Sequence, residues 1–532
     1  MNALLVFPEF SPFGFWNYGD VCKLVGAKYP AAPLGLITLA ALLPQDWDIR
    51  LIDMNTAPLW DSDIDWSDLV FIGGMLSQQV NLLRLIDRIH TRGKKVVVGG
   101  PDPTSQPKVY HKADYLVLGE AEATIIPFLY DLERGVKSGL YSPREEKPNI
   151  SKSPVPRFDL LNFNDYLMVG IQFSRGCPFN CEFCDVIELF GRIPRTKTPK
   201  QIIKELDTLY ELGHRGHIDF VDDNLIGQKA KVKGMLRLVK EWSKVHGNPF
   251  FFSTEASINL ADDEELLRLM EDIDFRYLFV GIESPDDKVL KSCQKNQNLN
   301  RKLRNDLKKI YAHGMVVNGG FILGFDNETK ETTRLIADTV RDGNICIAMV
   351  GFLYALPNTQ LTRRLTSENR LFESSNLLYE TNSDSIDQTT DGLNFITKRP
   401  RSEIVTDFIY IMKRIYGAKN YFDRCLKLGL ALKAKRKYKP PFSKRLTVVG
   451  ALLKLVVKLG ANPQTIYYFW RNIIIIMFIH PSSVEEVINL MAMYIHLHKQ
   501  TEYSIRSVTG NLRNEVNKVQ KYVIADSIGK RE

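Results

Sequence analysis

Short apolar runs alternate with amphipathic stretches over the first 140 residues. The runs Ala3–Phe7 ("ALLVF"), Asp48–Met54, Asp68–Met75, Lys95–Gly100 and Asp114–Glu120 predict strands. "PLGLITLAALLP" (Pro33–Pro44) and "QQVNLLRLIDRIHTRG" (Gln78–Gly93) carry helical periodicity. Such strands, separated by helices, predict a parallel sheet covered on both faces, with ligands at its carboxyl ends. A stretch rich in Pro, Ser and charge (Ser142–Leu161) then reads as a linker. The second series of strands is Gly170–Ser174, His217–Asp223, Phe250–Thr254, Tyr277–Glu283, Gly319–Phe325 and Ile347–Leu353, with helices such as Pro199–Gly213 between them. Six β/α units of this spacing suit a partial barrel whose site lies at the strands' carboxyl ends. From about Leu361 the pattern turns to helices with basic faces, and the segment from Val519 onward is expected to fray in part. The expected fold class is therefore α/β. A doubly wound, Rossmann-like domain covers residues 1–141, a linker 142–165, a partial (β/α)6 barrel 166–360, and a mainly helical region 361–532.

Composition narrows this picture little. A 532-residue chain with 44% hydrophobic and 25% charged residues is an ordinary folded protein of two to four domains. The longest uninterrupted apolar run, Ile473–Ile479, is too short for a bilayer span, which needs about 20 residues. The start, "MNALLVFPEF", has neither the basic segment nor the cleavage site of a secretion signal. Cys22, Cys293, Cys346 and Cys425 are scattered without a disulfide framework, which fits a reducing, cytoplasmic compartment.

Charge changes the picture more. Between Lys398 and Lys458, 17 Lys or Arg stand against three acids. The segment is thus +14 within a chain of net +8. "LALKAKRKYKPPFSKRLTVVGALLKLVVKLG" (Leu430–Gly460) and "TIYYFWRNIIIIMFIH" (Thr465–His480) combine basic and apolar positions. That combination suits a peripheral surface facing anionic headgroups on the inner face of a membrane, or a solvated face over a buried seam. Nucleic acid would accept the charge but is not the partner expected here.

The chemistry concentrates in "FSRGCPFNCEFCDV" (Phe173–Val186), which places Cys177, Cys181 and Cys184 after the first barrel strand. Three thiolates in so short a loop can wrap one metal centre. A [4Fe–4S] cluster commonly takes four, so three leave one iron open. Structural zinc or three buried thiols are the alternatives. Zinc wants a closed set of four, and the nearest histidines, His214 and His217, come one β/α unit later.

"RGCPFNCEFC" resembles the signature of the radical S-adenosylmethionine (SAM) superfamily, with Phe183 at the aromatic position before the last cysteine. The resemblance implies that the open iron chelates SAM. It also implies SAM contacts from Asp222 and Asp223 in "FVDDN", Glu255 in "STEAS", and Glu283 and Ser284 in "VGIESP". "GGFILGFDNET" is similar to the fifth-strand adenine motif, although its acid, Glu328, falls one residue late. With the first domain added, the whole resembles cobalamin-dependent radical SAM C-methyltransferases. "GGMLSQQ" (with Gly74, Met75, Ser77 and Gln78), "VGGPDPT" (with Gly99, Gly100 and Pro101) and the Gly119–Glu120 turn match that family's cobalamin side. The first domain has no Asp-x-His-x-x-Gly motif, and its only histidines are His90 and His111, so no protein histidine is expected below the cobalt. The C-terminal region, with "TTDGLNF" (Thr389–Phe395), looks like the tail of hopanoid methylases and bacteriochlorophyll side-chain methylases.

The implied activity is methylation of an unactivated carbon on a large apolar substrate, a hopanoid-type isoprenoid first and a tetrapyrrole next. An external electron donor of flavodoxin or ferredoxin type is implied as a partner. The rival readings are a cobalamin radical SAM cyclase, a methylthiotransferase acting on RNA, and a cobalamin/Fe–S sensor. The methylthiotransferases carry three more cysteines in their N-terminal domain, where this chain has only Cys22.

Overall fold

The computed structural model describes the chain except residues 144–146, 373–386, 388 and 530–532, with side chains also set aside at 442–444 and 513–529. The first sheet contains β1 (Asn2–Phe7), β3 (Asp48–Asp53), β4 (Leu69–Gly73), β5 (Lys95–Gly99), β6 (Tyr115–Val117) and β7 (Gly139–Tyr141). It is parallel, in the order β3-β1-β4-β5-β6-β7. Alternate residues explain why the strands read as continuous apolar runs. Leu4, Val6, Val70, Ile72, Val96 and Val98 fill one face, and Ala3, Leu5, Leu69, Phe71 and Val97 fill the other.

The second sheet is a curled, parallel half-barrel of seven strands. Six follow the expected series: β8 (Tyr166–Ile171), β11 (Gly216–Phe220), β12 (Phe250–Glu255), β13 (Phe275–Glu283), β14 (Val316–Leu323) and β15 (Ala348–Phe352). The seventh, β2 (Tyr29–Ala31), comes from the N-terminal region and pairs with β8. Three residues between a helix and a proline turn carry too little periodicity to announce a strand, and pairing with β8 alone makes them one. The expected linker is also less free than its composition suggests. Phe158 is buried in the barrel core and Arg157 N–H donates to Ile37 O.

Helices cover the far edge of the half-barrel. On the free edge of β15, the Tyr416 hydroxyl donates to Ala348 O at 2.7 Å and accepts from Ala348 N at 3.1 Å, satisfying backbone that would otherwise be open. Arg424, also buried, donates to Ile345 O and Ile415 O. The final helix, Val484–Gly529, continues through the segment expected to fray.

A two-stranded ribbon, β9 (Ser174–Arg175) with β10 (Arg195–Thr196), joins the halves of the molecule. Arg175 and Arg195 face each other across it, an unfavourable pair by itself. The carboxylates come from the first domain. Glu120 takes Arg175 and Arg195 at 2.8 Å each, and Glu122 takes Arg175 at 2.9 Å. Burial alone would raise the Glu122 carboxyl, but the Arg175 and Ser153 hydrogen bonds outweigh it and hold the group at about 2. Glu120→Ala would leave two largely buried guanidiniums short of a partner. The expected cost is about 3 kcal/mol, read as a lower urea midpoint than wild type.

Candidate functional site

The cysteine loop leaves β8 at the carboxyl end of the half-barrel, and the turn after β11 holds its backbone. Asp222 is buried; its carboxylate accepts Phe173 N at 3.0 Å, Ser174 Oγ at 2.5 Å and Ser174 N. Asp223 accepts Gly176 N at 2.8 Å. Gly176 has φ of +94°, and a Cβ there would lie 2.6 Å from Gly191 O, so only glycine suits this position before Cys177. The sequence predicted both aspartates as SAM contacts. The structure gives them backbone work first, and Asp222 has both oxygens engaged in it.

Other elements complete the support. The amides of Asn180, Gln294 and Gln360 close a triangle with contacts of 2.6, 3.3 and 2.9 Å. Glu182 pairs with Arg364 at 2.8 Å. Asn224 Nδ2 lies 3.9 Å from Cys177 Sγ and Gln297 Nε2 lies 3.7 Å from Cys181 Sγ, donors placed as thiolate ligands need them. Burial raises all three thiols above their ordinary value. The charges of Cys177 and Cys184 each reach Cys181, and three thiols on one short loop fit a [4Fe–4S] cluster with one iron left without a protein ligand.

Lys295, which sequence reasoning missed, is the cation of the site. Burial opposes its charge, but Glu283 and the thiols of Cys181 and Cys184 outweigh it and hold the ammonium well above its ordinary value. Its Nζ lies 2.7 Å from Glu283 Oε1 and 6.0 Å from the Phe183 ring, which in turn meets Phe325 edge-on. Glu283 sits at φ +61°, a costly conformation for a non-glycine residue. The only sequence signal was a lysine in "SCQKNQ", the loop after the fourth barrel strand, with no pattern to mark it.

Glu255 ends β12 with water-accessible surface, within reach of the charges of Asp219, Asp223 and Lys295. Burial, then Asp219 and Asp223, push it up to about 8. Burial likewise takes Asp222 to about 7 and Asp223 to about 6. Ser284 is buried; its hydroxyl accepts Asp286 N at 3.2 Å, and the residue borders a cleft with Asn298 and Leu303. Glu328 is 5% exposed; Oε2 accepts Gly324 N at 2.8 Å and Oε1 has no partner.

In the first domain the predicted loops stand at the carboxyl ends of β4, β5 and β6. A Cβ on Gly73 would lie 2.9 Å from Gly99 O, and one on Gly99 would lie 2.7 Å from Val117 O. Gly100 is likewise crowded by backbone, at Gly74, whereas Gly74 and Gly119 are crowded by the side chains of Gln78 and Pro143. Gln78 is buried and ties the loop together, accepting Met75 N at 3.1 Å and donating to Pro8 O at 2.6 Å. Met75 stands 48% exposed, and Ser77 and Pro101 lie in the same two loops. Glu120 is spent on the arginine ribbon. His90 pairs with Asp114 at the amino edge of the sheet, and His111 is in the exposed turn before β6, so neither belongs to the glycine loops.

A half-barrel bearing a three-cysteine loop behind its first strand, with acids at the following strand ends, defines a radical SAM enzyme. The comparisons agree. A family model described as the radical SAM superfamily matches residues 171–340, and one described as a domain of unknown function (DUF4070) matches residues 359–509. An uncharacterized methyltransferase, sll1242, of Synechocystis sp. is 39% identical over 99% of this chain and 97% of its own. The hopanoid C-2 methylase of Rhodopseudomonas palustris (strain TIE-1) is 36% identical over 70% of this chain and 72% of its own. The solved structure of the cobalamin-dependent S-adenosylmethionine radical enzyme OxsB shares the fold, with a TM-score of 0.58 at 16% identity over 97% of this chain and 81% of that one. The chain belongs to the radical SAM methyltransferases.

Two outcomes follow. Asp222→Asn keeps the shape but removes an acceptor from three donors; a loss of about 1–3 kcal/mol in urea unfolding is expected, with less iron bound after anaerobic reconstitution. Glu328, raised by burial to about 8 from 4.5, holds a proton in the folded chain that the unfolded chain has already lost. Folding thus binds a proton in this window, and stability falls as pH rises from about 4.5 to 8. Glu328→Gln should flatten that fall in urea titrations at pH values across the window; an unchanged slope would refute the assignment.

Proposed function

We propose that this protein is a cobalamin-dependent C-methyltransferase that adds a methyl group to an unactivated carbon of a hopanoid-type isoprenoid lipid. The observation that carries the reading is the register of β12 on β13, where Glu255 pairs with Phe279. The polar side of the site and an aromatic wall therefore stand side by side within one half-barrel. Trp16 packs edge-on against Phe279 at 5.1 Å and against Phe15 at 5.0 Å. Gly320 leaves room for the Phe279 ring, since a Cβ there would lie 2.8 Å from it. The likeness to a hopanoid C-2 methylase supports the substrate class.

In this reading Cys177, Cys181 and Cys184 hold the cluster and leave one iron open to SAM. Asp223, Glu255 and Glu283 offer negative charge to the sulfonium and ammonium of SAM, while Phe183 shields the cluster's flank. Lys295, paired with Glu283, offsets the thiolate charge. Asp222 positions the loop. The ends of β4 and β5, with Met75 outermost, would hold the corrin. When bound, the cofactors supply one-electron chemistry and a transferable methyl group. The chain's task is to hold three reagents in register and keep water out. The proposed units are residues 1–141 for cobalamin, 166–360 for SAM and 361–532 closing the substrate side.

The test is anaerobic. Protein reconstituted with iron, sulfide and cobalamin is given SAM, dithionite and a total lipid extract, and products are read by mass spectrometry. Formation of 5′-deoxyadenosine and S-adenosylhomocysteine, with one added methyl group on a hopanoid, is the expected result. 5′-Deoxyadenosine without any methylated lipid would sink the lipid reading, and a pigment extract would then test the tetrapyrrole class. Cys181→Ala should abolish 5′-deoxyadenosine formation. Phe279→Ala should raise KM for the lipid about tenfold, from lost apolar contact, while SAM turnover without lipid stays near wild type.

A further inference from the structure

Two successive helices, Phe442–Leu455 and Ile466–Ile479, turn large apolar side chains to the outside. On the first, Leu446, Val449, Leu453 and, in the π-turn that follows, Val457 recur at helical spacing with exposures from 56 to 71%. On the second, Tyr467, Trp470, Ile474 and Phe478 share a face, and Phe478 is 84% exposed. Soluble monomers seldom leave so many such side chains contiguous. The helices are anchored from behind, where Leu455, Leu459, Phe469 and Ile476 are buried in the main core.

The helices and the strap leading to them bring charge of one sign, although Asp423 pairs with Arg471 and Asp20 interacts with Lys458. From Arg424 to Val484 the chain contains no Asp or Glu. Arg445, Lys454 and Lys458 flank the apolar stripe of the first helix, and Lys433 and Lys439 lie exposed on the strap that leads to it. Lys435 and Lys437 on the same strap are paired with Glu271 and Asp272. A second copy of this face would set cations against cations. An anionic bilayer complements both parts, headgroups for the cations and acyl chains for the stripe, with Trp470 and Tyr467 suited to the boundary. No helix among the described residues is long and apolar enough to cross a membrane, so the contact would be in the plane of the surface.

We infer that this face docks the protein onto an anionic lipid bilayer and that the aromatic wall of the site stands beside the docked face. Lys454 Nζ reaches Lys23 O and Leu24 O at 3.5 Å, so the docking helix packs on the helix Gly19–Val25. That helix directly follows the stretch Phe13–Tyr18, which carries Trp16 to Phe279. The long C-terminal helix fixes the stretch, with Tyr503 stacked on Phe13 at 4.3 Å and His496 bonded to Phe15 O at 3.0 Å. A membrane-resident substrate would thus leave the bilayer close to the chamber. The route rests on the lipid reading above; the docking does not.

The test is co-sedimentation of the full-length, cluster-loaded protein with vesicles of phosphatidylcholine alone or mixed with phosphatidylglycerol. Binding to the mixed vesicles, weakened by salt, is expected. Ile474→Glu with Phe478→Glu should lower partitioning about tenfold, with thermal melting and cluster content unchanged. Arg445→Glu with Lys458→Glu should remove the preference for the anionic vesicles. Failure of wild type to bind either vesicle overturns the inference. So does binding that the variants do not alter, or a wild-type dimer by light scattering that the apolar-face variant dissolves. Vesicle binding without hopanoid methylation would leave the docking standing and remove the substrate instead.

Discussion

Arg175, two residues before the first cysteine, and Arg195 face each other and would repel one another if nothing answered them. Glu120 and Glu122, at the start of a helix of the first domain, answer both, and burial makes the pairing strong enough to matter. Everything else in the site is referred to that node. It fixes the ribbon β9–β10, the ribbon fixes the start of the cysteine loop, and the same acids come from the end of β6, beside the glycine loops. The first domain and the cluster loop are thus held in one register by electrostatics in a low-dielectric seam. A reaction that must bring a methyl donor and a substrate carbon together has need of such a fixed distance.

The acids of the half-barrel divide their labour. Asp222 spends its oxygens on backbone amides of the loop, and Asp223 spends one. Glu283 is paired with Lys295, while burial and then the neighbouring Asp219 and Asp223 push Glu255 up to about 8, so that its carboxyl would ionise most readily beside a cation. On the neighbouring strand the wall turns aromatic at Phe279, so a single register step separates polar from apolar chemistry. The C-terminal helices finish the design by closing the barrel edge at Tyr416 and carrying the apolar outer face.

Several readings changed meaning rather than failing. The glycines of the first domain looked like clearance for a flat ligand; Gly73, Gly99 and Gly100 also have neighbouring backbone within reach of a Cβ, and Gly74 and Gly119 have the Gln78 and Pro143 side chains. Glu120 looked like a cofactor-side residue and serves as an interdomain ligand for two arginines. Ser284 follows Glu283 directly in sequence, but the residue borders a cleft with Asn298 and Leu303. The seventh barrel strand, Tyr29–Ala31, had no signature because its pairing partner lies well over a hundred residues away.

What the sequence determined by itself was whatever depends on local pattern. Apolar runs of strand length and helices at a fixed period specify the two parallel sheets, since side-chain periodicity is a property of neighbours along the chain. The close spacing of Cys177, Cys181 and Cys184 specifies a metal-binding loop for the same reason. Tertiary structure alone decided the partners. That Lys295 serves the thiols, that Asp222 holds the loop's backbone, that Trp16 meets Phe279, and that two C-terminal helices leave an apolar face uncovered all depend on contacts between distant segments. Such contacts arise from how buried charge and apolar area are satisfied in three dimensions, and no local period records them.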